Sequence, residues 1–367
     1  MAKKTAGTTQ EKNDYPGTLE GMEKNIGSQK IMRLSICIPT YNFGAFIGET
    51  LDSILSQLTD GVEVIVLDGG STDNTAEVVR QKFAGIPNLF YHRQAERGGI
   101  DRDIERVVSM ARGEYCWLFS ADDIMQPGAI ETVLSSIKTG LDIYICEHRL
   151  STMQLKPIKE HPPFNGFPAM TQFDFSQGND RWRYFESART SEAFFSYLAG
   201  PIFKKSVWDA VDVPESVYGS CWIVAAHLLP AFKKEVRIQY LGKLLMLKRE
   251  GNDSFSGGNR ATRCKIGIEN FQNVANPIFG ISSREAFHIR RVLQNDVPLL
   301  ALLAAKYQAY KNHCEQDLLL LQRQVAMHYM DSGLGNNLRK IIFYMLGYKA
   351  LVMGYHARAL INRLRRR

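Results

Sequence analysis

Twice in succession the chain sets a short apolar run against a polar loop and then a helical pattern. Leu34 to Ile38 runs into Pro39-Thr40-Tyr41-Asn42, after which Ile47, Leu51, Ile54, Leu55 and Leu58 recur at helical spacing. Val62 to Leu67 ends on Asp68, and Gly69-Gly70-Ser71-Thr72-Asp73-Asn74-Thr75 turns into a stretch carrying Val78, Val79 and Phe83. Leu89 to His92 is a third, weaker run, followed by Gly98-Gly99-Ile100-Asp101-Arg102-Asp103 and a helical pattern through Val107, Val108 and Met110. Strand and helix alternating over short joints predict right-handed parallel units in one sheet, an α/β fold.

The polar loops matter because an open α/β sheet binds ligands outside the carboxyl ends of its strands. Pro39 has no N–H for a ladder, so it closes the first strand and leaves the loop facing a ligand. Ser71, Thr72 or Asp73 can cap the second helix, and Asp73 is read as that cap. Asp68 then has no capping duty, and a ligand hydroxyl or base edge is its expected partner. Tyr115 to Phe119, a fourth apolar run, stops shortly before Asp122-Asp123. That pair either holds a cation or polar ligand, or caps a helix beginning near Pro127. No dinucleotide glycine fingerprint follows Gly98-Gly99, and no Walker lysine pattern occurs. A phosphate site lacking both needs another neutralising device, such as a divalent ion shared between a carboxylate and the phosphates.

Leu34-Ser35-Ile36-Cys37-Ile38-Pro39-Thr40-Tyr41-Asn42, then Asp68 to Thr75, then Gly113-Glu114-Tyr115 leading to Asp122-Asp123, resemble the successive motifs of the family 2 glycosyltransferases with the nucleotide-sugar-binding GT-A fold. The likeness covers residues 33–150. Gly113 to Trp117, the segment around Trp208, and Gly251-Asn252-Asp253-Ser254-Phe255 are further similar to bacterial transferases of the abequosyltransferase-like kind, which decorate surface polysaccharide repeats. The resemblance implies a GT-A, Rossmann-like, mostly parallel sheet with a helical C-terminal extension. It implies that Pro39, Tyr41, Asn42 and Asp68 receive the nucleobase. Asp101 and Asp103, following Gly99, would line the nucleotide pocket; Asp122 would reach the ribose. Asp123 would bind Mn²⁺ or Mg²⁺ on the diphosphate, where negative charge grows as the sugar leaves. Ala121 stands where many relatives carry another Asp, so the acidic signature is the short form.

The run Leu141 to Cys146 is expected to end a nucleotide half over residues 32–147, with an acceptor half over 148–260. Residues 148–190 lack sustained periodicity, and such an insertion is read as serving the acceptor; Trp182, Tyr184 and Phe185 either stack on sugars or pack in the core. Gly200 to Trp208 resembles the family's strand and helix before the catalytic carboxylate. Where many inverting relatives carry a Glu-Asp pair, this chain reads Tyr218-Gly219-Ser220-Cys221-Trp222. Glu215, the nearest acid, is the expected base for the acceptor hydroxyl. Asp253 is a second candidate for that base or an acceptor contact, and Arg249 either pairs with the diphosphate or is a solvated turn residue. His227 has a core or capping role.

Charge narrows the partners. Between Asn337 and Arg367 stand eight Lys and Arg residues and no acid, so of the net +7 the rest of the chain carries −1. This excludes a nucleic-acid protein built on a basic folded surface. Residues 261–336 read as helical, and 337–367 as a basic amphipathic helix, too interrupted to span a bilayer and suited to an anionic membrane surface. Residues 1–31 contain no signal-peptide core and read as a mobile tail. The scattered cysteines, without zinc or redox spacing, suit a reducing cytosol. The expected protein is a cytoplasmic enzyme, peripheral on the inner face of the membrane. It moves a hexose or deoxyhexose from a nucleotide sugar to a hydroxyl of a lipid-linked or surface saccharide, with inversion. A sugar nucleotidyltransferase would need a glycine- and lysine-rich loop that Pro39 to Phe43 does not provide; a catalytically lapsed sugar-binding or scaffold protein is the remaining alternative.

Overall fold

The computed structural model describes residues 32–252 and 259–354. The expected tail over 1–31, Asp253 and the basic end from 355 lie outside the described residues. One mixed sheet contains β1 (Leu34–Thr40), β2 (Val62–Asp68), β3 (Leu89–Arg93), β4 (Tyr115–Leu118) and β5 (Ile124–Met125). It continues with β6 (Ile143–Ser151), β7 (Pro157–Glu160), β8 (Thr171–Asp174), β9 (Pro201–Lys204) and β10 (Arg237–Arg249). The first helices are α1 (Ile47–Leu55), α2 (Thr75–Phe83), α3 (Ile100–Ser109), α4 (Ala129–Ile137), α5 (Gly178–Ser187), α6 (Lys205–Asp209) and α7 (Ile223–Leu228). The C-terminal part adds α8 (Arg260–Lys265), α9 (Phe271–Phe279), α10 (Arg284–Asp296), α11 (Leu299–Lys311), α12 (Glu315–His328) and α13 (Leu334–Met345).

The strand order is β3-β2-β1-β4-β9-β6-β10-β5, with β7 beside β6 and β8 beside β10. From β3 to β4 every pair is parallel. The chain winds outward from β1 to β3 and returns on the other side of β1 as β4, so the order reverses between β1 and β4 and opens a crevice at their carboxyl ends. Side chains of β1 alternate between two layers: Leu34, Ile36 and Ile38 pack with α1, α2 and α4, while Cys37 joins the layer of α3, α7 and α9. A third apolar cluster, with Leu302, Leu321, Val325, Tyr329 and Phe343, lies among α8, α11, α12 and α13.

Two residues explain how β4 is aimed. Gly113 precedes it because a Cβ there would come within 2.6 Å of the Ser35 amide nitrogen; the close approach lets Ser35 Oγ accept the Gly113 N–H at 2.8 Å. Pro39 acts at the other end. The Phe119 N–H donates to the Cys37 carbonyl at 2.9 Å, and a parallel ladder would next call on the N–H of residue 39. Pro39 has none, so β4 parts from β1 there and the chain turns into Asp122-Asp123. Along β2, where no such donor is needed, β1 continues through Thr40, one residue beyond the expected closure.

The second half was less legible. Residues 148–190 contain β7, β8 and α5 rather than an irregular insertion; strands of four residues are too short to display alternation. Tyr184 and Phe185 are fully buried among Phe164, Phe173, Phe194 and Phe232, which resolves them as core packing. Trp182 is half-buried beneath the Arg284 guanidinium at 4.1 Å. The apolar run Leu244 to Leu247 lies near the end of the much longer β10, whose register shifts between Tyr240 and Met246 break the apolar pattern.

Candidate functional site

At the carboxyl ends of β1 and β2 two loops lock together. Asn42, in left-handed backbone (φ 60°), accepts the N–H groups of Thr72 at 2.8 Å and Asp73 at 3.3 Å, and its own N–H donates to Ser71 Oγ at 2.9 Å. Asp73 accepts from the amides of Gly44 and Thr75, both at 2.9 Å, so it ties down the β1 loop and the first residue of α2, whose N-cap position is Asn74 rather than the expected Asp73. Asp68 is fully buried. Its Oδ1 accepts the Ser71 N–H at 2.7 Å, its Oδ2 accepts the Tyr91 hydroxyl at 2.6 Å, and Arg93 Nε stands 3.6 Å away. Beside it Gly69 leaves room for Asp103: a Cβ on Gly69 would lie 2.5 Å from Asp103 Oδ2. Asp103 donates its N–H to the Gly99 carbonyl and accepts from Gln94, and burial raises its carboxyl above the ordinary value. Arg97 covers the Tyr41 ring at 4.2 Å, and Thr40 Oγ1 is buried at the strand end without a partner.

The second cluster stands beyond β4, two strands from Asp68, or about 10 Å across the sheet at the usual strand spacing. Asp122 accepts from Ser120 Oγ at 2.5 Å and from Asn252 Nδ2 at 2.9 Å. Asp123 accepts the Tyr197 hydroxyl at 2.6 Å and the Arg249 N–H at 2.9 Å. Neither carboxylate caps α4, which begins after Gly128 without a side-chain cap, so the capping alternative fails. Both acids are buried. Burial, reinforced by the Asp122 charge, pushes the Asp123 carboxyl up to about 7, while the Tyr197 hydrogen bond and Lys248 act in the opposite direction.

Other expected site residues have structural partners. The Asp101 carboxylate accepts the N–H groups of Gly219 at 2.8 Å, Cys221 at 3.0 Å and Ile223 at 3.3 Å. It anchors the loop before α7 to α3. Arg249 is buried, and its guanidinium donates to Glu49, to the Asp122 carbonyl and to the Met153 carbonyl. With its backbone N–H on Asp123 it braces the acid pair. Glu215 is exposed and paired with Arg102, itself stacked on Tyr218. His227 stacks on Trp208 at 3.8 Å and hydrogen-bonds the Trp208 carbonyl, the core role expected of it.

A further group escaped the sequence. The Tyr197 ring lies 4.6 Å from the His148 ring and under Lys248 Nζ at 4.1 Å. His148 Nδ1 stands 3.4 Å from Glu192, and His161 Nε2 stands 3.6 Å from the same carboxyl. Burial pushes Glu192 up to about 8, holds His161 down at about 4 and lowers His148 as well, so burial favours the uncharged form of all three. His148, between Glu147 and Arg149 just past the apolar run of β6, was the one available signal, because polar side chains inside a buried strand need partners.

The donor set fits a divalent ion. Asp122 and Asp123 supply hard oxygens, the hydrogen bonds to Asp123 leave lone pairs free, and a cation would favour the ionised form of an Asp123 carboxyl that burial and the Asp122 charge raise. Among the described residues no group of three His, Cys, Asp or Glu side chains is arranged to hold a metal ion, so the protein would contribute one or two carboxylates and the ligand the rest. A hollow between α1 and α4, lined by Gln57, Met125, Pro127 and Leu134, includes none of these residues.

Residues 35–200 match the model of glycosyl transferase family 2. The chain is 29% identical over 317 residues to an abequosyltransferase of Salmonella typhimurium, covering 84% of this chain and 91% of that one. A chondroitin synthase of Pasteurella multocida is 35% identical over 105 residues, 11% of its length. Among solved structures, residues 1–349 of S. aureus TarS in complex with UDP-GlcNAc superpose with a TM-score of 0.54 at 16% identity, covering 89% of this chain and 92% of that one, which is a likeness of fold. With the motif loops and the crevice at the β1–β4 reversal in agreement, residues 35–200 form a family 2 glycosyltransferase region, and the chain is similar over most of its length to the abequosyltransferase.

Proposed function

We propose that the chain transfers a hexose or deoxyhexose from a nucleotide sugar to a hydroxyl of a saccharide acceptor, lipid-linked and presented at an anionic membrane surface, with inversion. The observation that carries this reading is the pairing, along one sheet edge, of an interlocked loop cradle at Asp68 and Asp103 with a buried acid pair at Asp122 and Asp123. The cradle offers Tyr41 under Arg97, and the unpartnered Thr40 hydroxyl, as surroundings for a nucleobase. The acid pair would hold Mn²⁺ or Mg²⁺ together with the diphosphate. Such an ion supplies Lewis-acid stabilisation of the leaving phosphate. Tyr197 and the Arg249 amide orient Asp123, while Asn252 and Ser120 orient Asp122.

A thermal-shift panel of UDP-, GDP-, CDP- and dTDP-sugars with and without Mn²⁺ tests the reading, since a ligand that binds only the native state raises the melting temperature. One nucleotide class is expected to stabilise the protein in an ion-dependent manner, and Asp123→Asn to remove the ion dependence. No stabilisation by any donor with the ion present would overturn the proposal.

A further inference from the structure

α13 is apolar on two opposite faces. Its inner face buries Phe343 in the cluster among α8, α11 and α12. The Lys306 ammonium donates to the carbonyls of Phe343 and Leu346, closing the helix C-terminus, and Tyr344 donates to the Gln322 carbonyl. These contacts fix how the helix is rotated. On its outer side Leu334, Leu338, Ile341 and Met345 follow at steps of four, three and four residues, which places them within a sector of about 60° centred roughly opposite Phe343. They are 91%, 57%, 51% and 77% exposed. A helix docked through one face gains nothing for its own fold by carrying four large apolar side chains on the other, so the stripe marks a partner.

Charge selects that partner. Arg339, Lys340 and Lys349 belong to the segment from Asn337 to Arg367, which carries eight basic side chains and no acidic one. Tyr348 and Met353, also exposed, continue the apolar and aromatic character through the helical residues 348–354. No helix among the described residues is long and apolar enough to cross a membrane. We infer that α13 lies in the plane of an anionic bilayer surface, with Leu334, Leu338, Ile341 and Met345 inserted below the headgroups and Arg339, Lys340 and Lys349 drawn to lipid phosphates. A second copy of the chain would bring the same positive charges face to face. The inference deepens the proposed work at a membrane, but it concerns lipid alone and is tested without sugar or metal.

The full-length chain is mixed with vesicles of phosphatidylethanolamine and phosphatidylglycerol, or of phosphatidylcholine alone, and bound protein is separated by flotation. Binding to the anionic vesicles is expected to exceed binding to phosphatidylcholine by at least about tenfold, and Leu338→Asp with Ile341→Asp to lower it by at least about tenfold while leaving the melting temperature and donor-induced stabilisation unchanged. An Ile341→Trp variant is expected to give blue-shifted emission, relative to the parent protein, on anionic vesicles. Unaltered binding of the double variant, or no blue shift, would overturn the inference. So would a dimer in sedimentation that the same double substitution dissociates, because the stripe would then be covered by protein.

Discussion

The cradle around Asp68 and the acid pair around Asp123 lie at the same edge of the sheet, yet they are built in opposite ways. The cradle is held mostly by neighbours within its own motifs: Asn42 with Thr72 and Asp73, Asp68 with Ser71, Asp73 with Gly44 and Thr75. The acid pair is held by Tyr197, Arg249 and Asn252, from segments far along the chain. The cradle's geometry therefore follows from short motifs, whereas that of the acid pair depends on the second half of the domain closing over β4. Substitutions in the cradle should weaken donor binding, and substitutions in the acid pair should weaken turnover.

The largest effect is expected from Asp123→Asn. If Asp123 helps hold charge that grows on the diphosphate, kcat for transfer should fall by roughly 10²–10³-fold, with the melting temperature of the unliganded protein preserved or raised. It should not fall, because the substitution removes a buried carboxyl that burial already drives toward its neutral form. A loss confined to KM would erase the contrast between the two regions.

Gly69→Ala tests the cradle side. The new methyl would meet Asp103 Oδ2 at 2.5 Å, and Asp103, itself held by Gln94, must shift. Overpacking of this kind costs about 1–3 kcal/mol. The donor KM should rise by roughly tenfold with kcat nearly constant, read from initial rates against donor concentration.

How far each region could be read from the chain follows the same division. β1, β2, β4 and their loops were visible because alternation, a strand-ending proline and carboxylates after strands are short-range signals. The role of Asp101 was not, since its partners are backbone amides more than a hundred positions away and amides leave no mark in a sequence. Arg249 was visible as a basic residue after a strand, but its orientation toward Glu49 and two carbonyls depended on α1 and on the turn after β6. The Glu192, His148 and His161 group had no motif at all. It consists of single polar residues on three segments that meet only when the sheet is complete.

That group provides a smaller test of how the acid side is closed. The Glu192 carboxyl is raised to about 8, so the folded state binds its proton more tightly than the unfolded chain does. The associated stability is fully present below the ordinary carboxyl range and is lost as pH rises toward 8. His161, held down at about 4, works in the other direction: its contribution is lost as pH falls from the ordinary imidazole value toward 4. Glu192→Gln keeps a neutral side chain at every pH. Between pH 5 and pH 8.5 the variant should therefore lose less stability than the parent, by on the order of 1–3 kcal/mol in urea unfolding. Equal losses would mean that Glu192 is solvated or compensated in solution.

The smallest effect is expected at Glu215, and there it decides between two roles. A base for the acceptor hydroxyl works best where burial tunes it toward the working pH. Glu215 is instead exposed beside the first turn of α3, in an ion pair with Arg102, and exposed ion pairs contribute little, at most about 1 kcal/mol. Glu215→Gln, assayed for transfer and for donor-induced stabilisation in the same preparation, should leave kcat within about threefold of the parent on this reading. Loss of transfer by two orders of magnitude with donor binding intact would restore Glu215 as the base, and would require Arg102 to release it when the acceptor enters. It would also add to the acid side a catalytic group anchored through α3, on the cradle's side of the crevice, so that the two regions would no longer divide binding from turnover.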